Sequence, residues 1–492
     1  MAVAAAVRAR LTFRLDVPVQ QGNVFLPGLG CAHFAGVTEA WGSAHAAGHE
    51  GSLCITCDGV EVCVRQDGGH LASGWSPTRR LTVGHNDDRL PLILDEHDPY
   101  RDFSSHREPS PLNDTDYETW RSCLAGAWEI ITGSDPQCAE EIICGPLLSL
   151  APAEPQEKYR PYSSSSGEAF GGINASLPDN ASQLAATLVH EFQHIKLGAL
   201  IHLEPVVTRA KGPQELSELF YAPWRDDPRP IEGLIQGIYA FYGVARFWRA
   251  RRRKVPPADT LAADFEFALC REQVHSVLAS LGSHQRLTSV GRYLTRSLAS
   301  QCAAWADEQV SPTGLRLAQD AIADHSARWR SHHLKPPAEA VSEAVHAWCK
   351  GTPPPVGLSA PPRLVPDTRA LWLDTAATLT RHRLTEPAQS DWASAAHQRV
   401  SGATRADVLL ALGEQDAASR AIVDQLLQRS VPPAASWAVL GRALADAPAH
   451  REVSQFLLRF PERARAVHAG LTSSGVKGID PIQLATWLTS AP

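Results

Sequence analysis

Residues 180–203 read NASQLAATLVHEFQHIKLGALIHL, and this stretch predicts a single long helix. Asn180 followed by Gln183 is a capping-box pattern, and Asp179 suits the positive end of a helix. Apolar residues then recur as far as Leu203, so we expect most of the helix to be buried. The stretch therefore indicates a mainly α-helical core organised around this helix.

Two histidines on this helix are spaced for one metal ion. His190 and His194 are four residues apart, so both imidazoles leave the same helix face about one turn apart. Polar groups on a buried helix need partners, and a metal ion would satisfy both imidazoles together. The chain has 20 histidines, so the HExxH spacing could arise by chance. A chance copy would more often fall on a polar or irregular segment, and the capped, apolar setting favours a metal site.

A second apolar helix is expected at about residues 231–249. Glu232, Gln236 and Tyr239 interrupt its apolar pattern at spacings of four and three, which makes one polar stripe. Either Glu232 or Gln236 could be a third metal ligand, and carboxylates are the commoner donors. The alternative is that the stripe only hydrogen-bonds a neighbouring helix. Gly237 and the glycine four residues before it should let another helix approach closely.

An arginine-bearing segment precedes this helix, because residues 221–230 read YAPWRDDPRP. Arg229 is the first candidate to bind a carboxylate through its two-pronged donor geometry, and Arg225 is the second. The alternative is an exposed turn in which the two arginines pair with Asp226 and Asp227.

These segments together resemble a known family, the HExxH-type peptide β-hydroxylases. Members are 2-oxoglutarate-dependent iron enzymes of ribosomal-peptide natural-product pathways, sometimes fused to or encoded beside radical-SAM maturases. The resemblance covers about residues 85–340. It is carried by LVHEFQHIKLGAL at 188–200, YAPWRDDPRP at 221–230, GLIQGIYAF at 233–241, the upstream LDEHDPYR at 94–101, and the helix around Trp120.

The resemblance implies Fe(II) held by His190 and His194, 2-oxoglutarate chelating the metal, and O₂ as the oxidant. The third ligand stays open between Glu232 and Gln236. The expected partner is a ribosomally made precursor peptide hydroxylated at a side-chain Cβ, with a radical-SAM maturase as a further partner. The sequence has no radical-SAM cysteine triplet, so it resembles the stand-alone form.

Two other functions compete with this one. In a zinc metallopeptidase, Glu191 would be the general base and Glu232 the third zinc ligand. The arginine-bearing segment has no necessary role in that reaction, whereas 2-oxoglutarate needs a cation for its distal carboxylate. The second alternative is a non-catalytic helical adaptor with a degenerate metal site. For catalysis we single out Glu191 and Tyr239 as candidate residues.

Composition narrows the range of functions. The formal net charge is −7, with 44% hydrophobic and 20% charged residues, as in ordinary globular proteins. No Lys/Arg run interleaved with aromatics indicates nucleic-acid or anionic-membrane binding. No stretch approaches the roughly 18–20 apolar residues of a membrane span, and the start lacks a signal-peptide core. We therefore expect a cytoplasmic protein whose ten cysteines are reduced and mostly buried.

The chain divides by composition into four parts. Residues 1–105 are expected to be β-rich, 106–350 to form the catalytic core, 351–363 to be a Pro-rich linker, and 364–492 to be a helical, repeat-like module. The predicted fold class is mainly α with a β-containing N-terminal region. The other expected elements are strands at 90–94 and 170–176, helices at 114–131 and 138–150, and a turn-rich passage containing residues 163–166.

A second histidine–cysteine group lies in the β-rich region. His45 and His49 are also four residues apart and precede Cys54 and Cys57, which superficially suggests zinc. However, residues 53–64 predict a hairpin with Asp-Gly at its turn. In that hairpin Cys54 and Cys57 lie on opposite faces, and Cys54 lies opposite the cysteine at position 63. We therefore do not expect a metal site here.

Overall fold

The computed structural model divides into two compact units, Met1–Ala199 and Leu200–Pro492. The predicted fold class is confirmed, because helices dominate and the sheets of three or more strands lie in the first unit. The residues that the structure describes are 1–65, 73–102, 106–145, 147–167, 169–212, 215, 218–282, 284–386, 399–429 and 431–490.

The first unit begins with a short helix and two small antiparallel sheets around one apolar core. Val24, Phe34 and Ile55 lie in that core. The elements are α1 (Ala2–Arg8), a four-stranded sheet of β1 (Phe13–Val19), β4 (Gly42–His49), β5 (Ser52–Cys57) and β6 (Val60–Arg65), and a three-stranded sheet of β2 (Asn23–Leu26), β3 (Gly30–His33) and β7 (Trp75–Pro77).

The hairpin of β5 and β6 has the predicted turn. Asp58 and Gly59 have φ angles of 48° and 80°, as a two-residue turn matching the strand twist requires. Cys54 pairs with Cys63 across the strands, and Cys57 is buried on the opposite face. The predicted cysteine placement is therefore confirmed.

The expectation of reduced, mostly buried thiols was wrong for part of the chain. Cys54 and Cys63 form a disulfide, because directly opposed positions on one sheet face bring their Cβ atoms together. Cys144 and Cys349 are free but exposed. The apolar runs around these cysteines did not reveal which face each side chain occupies.

A five-stranded mixed sheet follows and leads to the HExxH helix. In spatial order its strands are β11 (Ser163–Ser165), β12 (Gly172–Ser176), β10 (Ser149–Ala153), β9 (Leu90–Leu94) and β8 (Arg79–Val83). The central strands β9, β10 and β12 are parallel, and the edge strands β8 and β11 are antiparallel to their neighbours.

Two helices lie between β9 and β10 in the chain, α2 (Asp114–Ser134) and α3 (Pro136–Cys144). The prediction of a helix over 138–150 was too long, since residues 149–153 form β10. Strand β10 is inserted between two other strands, and this long-range pairing overrides the local pattern. The predicted turn-rich passage at 163–166 likewise contains strand β11.

The HExxH helix is α4 (Ala181–Leu203), close to the predicted bounds. Asn180 Oδ1 accepts the Gln183 amide at 3.0 Å, and Gln183 Oε1 accepts the Asp179 amide at 3.0 Å. The predicted N-terminal cap is therefore present, with the glutamine reaching one residue further back than in a standard capping box. Its buried side chains include Leu184, Leu188 and Phe192.

In its described residues, the second unit is helical, with one short strand pair. The helices are α5 (Ile231–Arg251), α6 (Thr260–Leu281), α7 (Ser289–Ala306), α8 (Pro312–His333), α9 (Ala338–Lys350), α10 (Thr375–Thr385), α11 (Arg405–Leu412), α12 (Gln415–Gln428), α13 (Ser436–Ala443), α14 (Arg451–Arg459), α15 (Pro461–Ser473) and α16 (Pro481–Thr489). Strands β13 (Leu334–Lys335) and β14 (Arg363–Leu364) pair antiparallel. No helix in the described ranges is both long and apolar enough to cross a membrane.

Buried charge joins the helices of this unit. Arg328, on α8, forms ion pairs with Asp324 of the same helix and Asp407 of α11, and all three side chains are buried. Arg330 of α8 binds Glu462 of α15. Breaking one partner of such a buried network is costly, because the other charge is left unpaired.

Candidate metal centre

The two histidines of the HExxH motif converge as one metal ion would require. Their Nε2 atoms are 3.2 Å apart, and their rings meet edge to face with centroids separated by 4.8 Å. With metal–nitrogen distances of about 2.1 Å, that separation subtends an angle of about 100° at a shared ion. This angle lies between the octahedral and tetrahedral values. The donor pair therefore fits a divalent transition metal.

Burial favours the neutral form of His190, the form that a metal ligand needs. The His190 side chain is 21% exposed, and burial, followed by the neighbouring His194, lowers the pKa of His190 to about 3. A metal binds the neutral imidazole, not the imidazolium ion. His190 is therefore neutral, as a ligand must be, over the physiological pH range.

Glu191 is held by two serine hydroxyls. Ser163 donates to Glu191 Oε1 at 2.6 Å, and Ser165 donates to Oε2 at 2.6 Å. The carboxylate is 1% exposed, and its Oε1 lies 3.9 Å from His190 Nε2. Both oxygens therefore have a fixed partner from strand β11, and the side chain lies directly beside His190.

These two serines were not identified from the sequence. Residues 163–166 are four serines in a row, a composition typical of turns and loops. The only available signal was the alternation that places Ser163 and Ser165 on one face of a strand. Which helix that face meets is set by the sheet order, and a local pattern does not contain that information.

Among the described residues of the first unit, no third histidine, cysteine, aspartate or glutamate is grouped with the two histidines. Three side chains of these types do have their ligand atoms within 4.8 Å of one another in the described residues. They are Cys54, Glu61 and Cys63. Two members of that group are joined as a disulfide.

Glu232 and Gln236, the proposed third ligands, lie on α5 as expected. Glu232 is 52% exposed and forms an ion pair with Arg286. Arg286 is buried and also donates to the Thr208 carbonyl at 2.9 Å. Arg286 therefore binds Oε1 of the Glu232 carboxylate, whereas the Gln236 side chain carries no charge.

The predicted polar stripe of α5 is present, and Gly237 on the same helix lies against a tryptophan side chain. Gln236 and Tyr239 are half-buried among buried apolar neighbours. A Cβ built on Gly237 would lie 2.4 Å from the Trp224 indole nitrogen. Trp224 stacks on Phe241 with ring centroids 4.7 Å apart. Gly237 thus leaves room for the Trp224 side chain of the preceding loop.

The two arginines of that loop share one carboxylate. Arg225 Nε lies 3.1 Å from Asp227, and Arg229 Nε lies 3.3 Å from its other oxygen. Burial, and then the neighbouring Arg225, lower the pKa of Arg229. The Asp227 carboxylate is thus shared by two guanidinium groups.

Asp226 binds backbone amides, whereas the sequence had suggested it as an ion-pair partner of the arginines. Its carboxylate accepts the backbone amides of Trp372 at 2.8 Å and Leu373 at 3.0 Å. Phe220 and Arg229 pair through two backbone hydrogen bonds and close the loop. The loop that carries the arginines is therefore fixed at both ends and at Asp226.

The upstream segment at 94–101 serves the structure of the first unit. Glu96 is buried and bound by Arg79 and by the Leu112 amide. Arg101 donates to the carbonyls of Asp98 and Glu108, at 2.9 and 2.6 Å. These contacts fix the chain that follows strand β9. The charged residues of the segment therefore have a structural role.

No protein-family model matches the chain, and no curated protein matches it.

Proposed function

We propose that the protein is an Fe(II)- and 2-oxoglutarate-dependent oxygenase that hydroxylates a side-chain Cβ of a ribosomally made precursor peptide. In the overall reaction, 2-oxoglutarate, O₂ and a peptide C–H bond give succinate, CO₂ and a C–OH group. The observation that carries the proposal is the pair of imidazole nitrogens 3.2 Å apart. Two imidazoles and a third donor leave coordination positions for both the co-substrate and O₂.

The contacts of Glu191 favour an oxygenase over a zinc peptidase. A peptidase needs this carboxylate to take a proton from water, so the side chain must be available to the water and then pass the proton on. Here each carboxylate oxygen already accepts a hydrogen bond from a serine hydroxyl, with an oxygen–oxygen distance of 2.6 Å. An oxygenase needs no such base, and in it Glu191 serves to orient the helix beside His190.

The shared aspartate of the arginine loop supports a carboxylate-binding role. Asp227 forms ion pairs with both Arg225 and Arg229, and the Asp227 side chain is 53% exposed. Such exposed pairs contribute little stability and exchange readily with another anion. We assign the distal carboxylate of 2-oxoglutarate to Arg229, with Arg225 as the second choice, because a bidentate guanidinium suits a carboxylate.

The bound iron would supply the oxidising power that breaks an unactivated C–H bond. The residues of this chain bind and orient, so regiochemistry follows from which Cβ the protein presents. His190 and His194 hold the metal, and Glu191 with its two serines fixes the helix that carries them. Tyr239 stays a candidate for contact with the substrate.

The direct test is a reaction with the precursor peptide encoded nearest the gene, together with Fe(II), 2-oxoglutarate and O₂. Mass spectrometry should show a gain of about 16 Da, one oxygen atom, only when 2-oxoglutarate is present. Succinate should appear in equal amount. Cleaved peptide without this gain would instead identify a metallopeptidase.

Metal analysis separates the remaining possibilities. Protein purified without oxygen should hold iron in a one-to-one ratio, and 2-oxoglutarate should change the spectrum of that iron. Stoichiometric zinc would indicate the peptidase. No stoichiometric metal in the wild-type protein would indicate an adaptor with a degenerate site.

A further inference from the structure

Strand β11 is an edge strand, and among the residues that the structure describes one of its two sides has no partner strand. It pairs with β12 alone, with Ser163 opposite Ala175 and Ser165 opposite Ile173. An edge strand presents backbone donors and acceptors that can pair with another extended chain. The free side of β11 is therefore available in the sheet for one more strand.

The hydrogen-bond pattern shows which residues use that free side. The Ser176 amide donates to the Tyr162 carbonyl at 2.9 Å. Antiparallel pairs alternate between hydrogen-bonded and non-hydrogen-bonded positions, so Ser164 bonds toward β12 while Ser163 and Ser165 do not. The amide and carbonyl groups of Ser163 and Ser165 therefore point away from β12. The structure gives these groups no partner among the described residues.

The side chains of the same two serines point toward the metal-binding helix. Both hydroxyls bind Glu191, whose Oε1 lies 3.9 Å from His190 Nε2. Opposed residues on neighbouring strands place their side chains on the same face, with Cβ atoms about 4.5–5.5 Å apart. A strand added at this edge would thus direct every second side chain toward His190.

We propose that the substrate peptide binds as an extended strand along the free side of β11, bonded to the backbone of Ser163 and Ser165. This proposal rests on the proposed function for the identity of the peptide. The peptide residue opposite Ser163 or Ser165 presents its Cβ on the face of the metal pair. Its immediate neighbours point to the other face, which restricts modification to one residue in two.

The test compares Ser165→Pro with Ser165→Ala in the full-length protein. Both variants lose the hydroxyl that binds Glu191, but only proline removes the outward amide, and proline is tolerated at a strand edge. The probe is the fluorescein-labelled precursor peptide encoded nearest the gene, with binding read by anisotropy in the presence of Fe(II) and 2-oxoglutarate without O₂. We expect Ser165→Pro to bind the peptide about fivefold more weakly than Ser165→Ala, the equivalent of one hydrogen bond.

A second measurement uses only the wild-type protein, so it is independent of any effect of proline on folding. Single N-methyl groups are placed on successive amides of the peptide around its modified residue. Affinity should fall at alternate amides and be retained at those between them, because only alternate amides face β11. Equal losses at successive amides would overturn the proposal.

The outcomes separate this proposal from the proposed function. Equal affinities of Ser165→Pro and Ser165→Ala, with hydroxylated product still formed by the wild type, would refute strand addition and leave the oxygenase intact. A proline-specific loss with cleaved instead of hydroxylated peptide would support strand addition and overturn the oxygenase. A peptide that does not bind the wild-type protein would overturn both.

Discussion

The buried carboxylate of Glu191 offers the sharpest single substitution. In Glu191→Gln the amide oxygen can accept from one serine, and the amide nitrogen can donate to the other once that hydroxyl rotates. Both hydrogen bonds of the carboxylate, each 2.6 Å long, are thereby replaced by neutral ones. Hydrogen bonds to charged groups contribute about 1.5–3 kcal/mol and neutral ones about 0.5–1.5 kcal/mol.

The expected loss of stability follows from that difference. Two bonds that each weaken by about 1 kcal/mol give at most about 2 kcal/mol, and the removal of a buried charge offsets part of it. For a unit of this size, 1 kcal/mol shifts the Tm by about 2–4 °C. Glu191→Gln should therefore lower the Tm by less than about 8 °C. Glu191→Ala should lower it further, because both hydroxyls lose their partner.

Activity then distinguishes the two enzyme classes. If Glu191 only orients the helix, Glu191→Gln should bind iron fully and form hydroxylated peptide within about tenfold of the wild-type rate. A general base contributes roughly 10²–10⁴-fold to a rate. A fall of more than 100-fold with iron still bound would refute our assignment. As a matched control, the Ser163→Ala, Ser165→Ala double variant keeps the carboxylate while removing both of its anchors.

Three further predictions concern the metal pair and the arginine loop. His190→Ala and His194→Ala should each abolish iron binding while the circular dichroism spectrum is preserved; full metal stoichiometry in either variant would remove the basis for the site. Arg229→Ala should raise the half-saturation concentration of 2-oxoglutarate more than tenfold, since losing one partner of a paired charge costs about 2–5 kcal/mol, whereas Asp227→Asn should lower it by freeing the guanidinium. An unchanged value in both variants would show that the loop is only a salt-bridged turn. Asp226→Asn should lower the Tm without changing iron binding, because two backbone amides lose a charged acceptor, and each such hydrogen bond contributes about 1.5–3 kcal/mol. An unchanged Tm would mean that the loop is held by its other contacts.

The sequence by itself determined the elements whose signals are local. The cap at Asn180 and the apolar periodicity of α4 need only neighbouring residues, and their helix begins and ends close to where they indicated. The same holds for the hairpin, where two positive φ angles at Asp58 and Gly59 follow from residue type. The spacing of His190 and His194 predicted a shared helix face, and their nitrogens meet on it.

Only the tertiary structure decided how distant segments meet. Strand β10 was read as the end of a helix, because the partners that make it a strand lie more than 50 residues before and about 20 residues after it. The serines that hold Glu191 come from 26–28 residues earlier in the chain, and Arg286 reaches Glu232 across 54 residues. The free energy of such contacts depends on packing between elements, so it cannot be predicted from the residues on either side of each position.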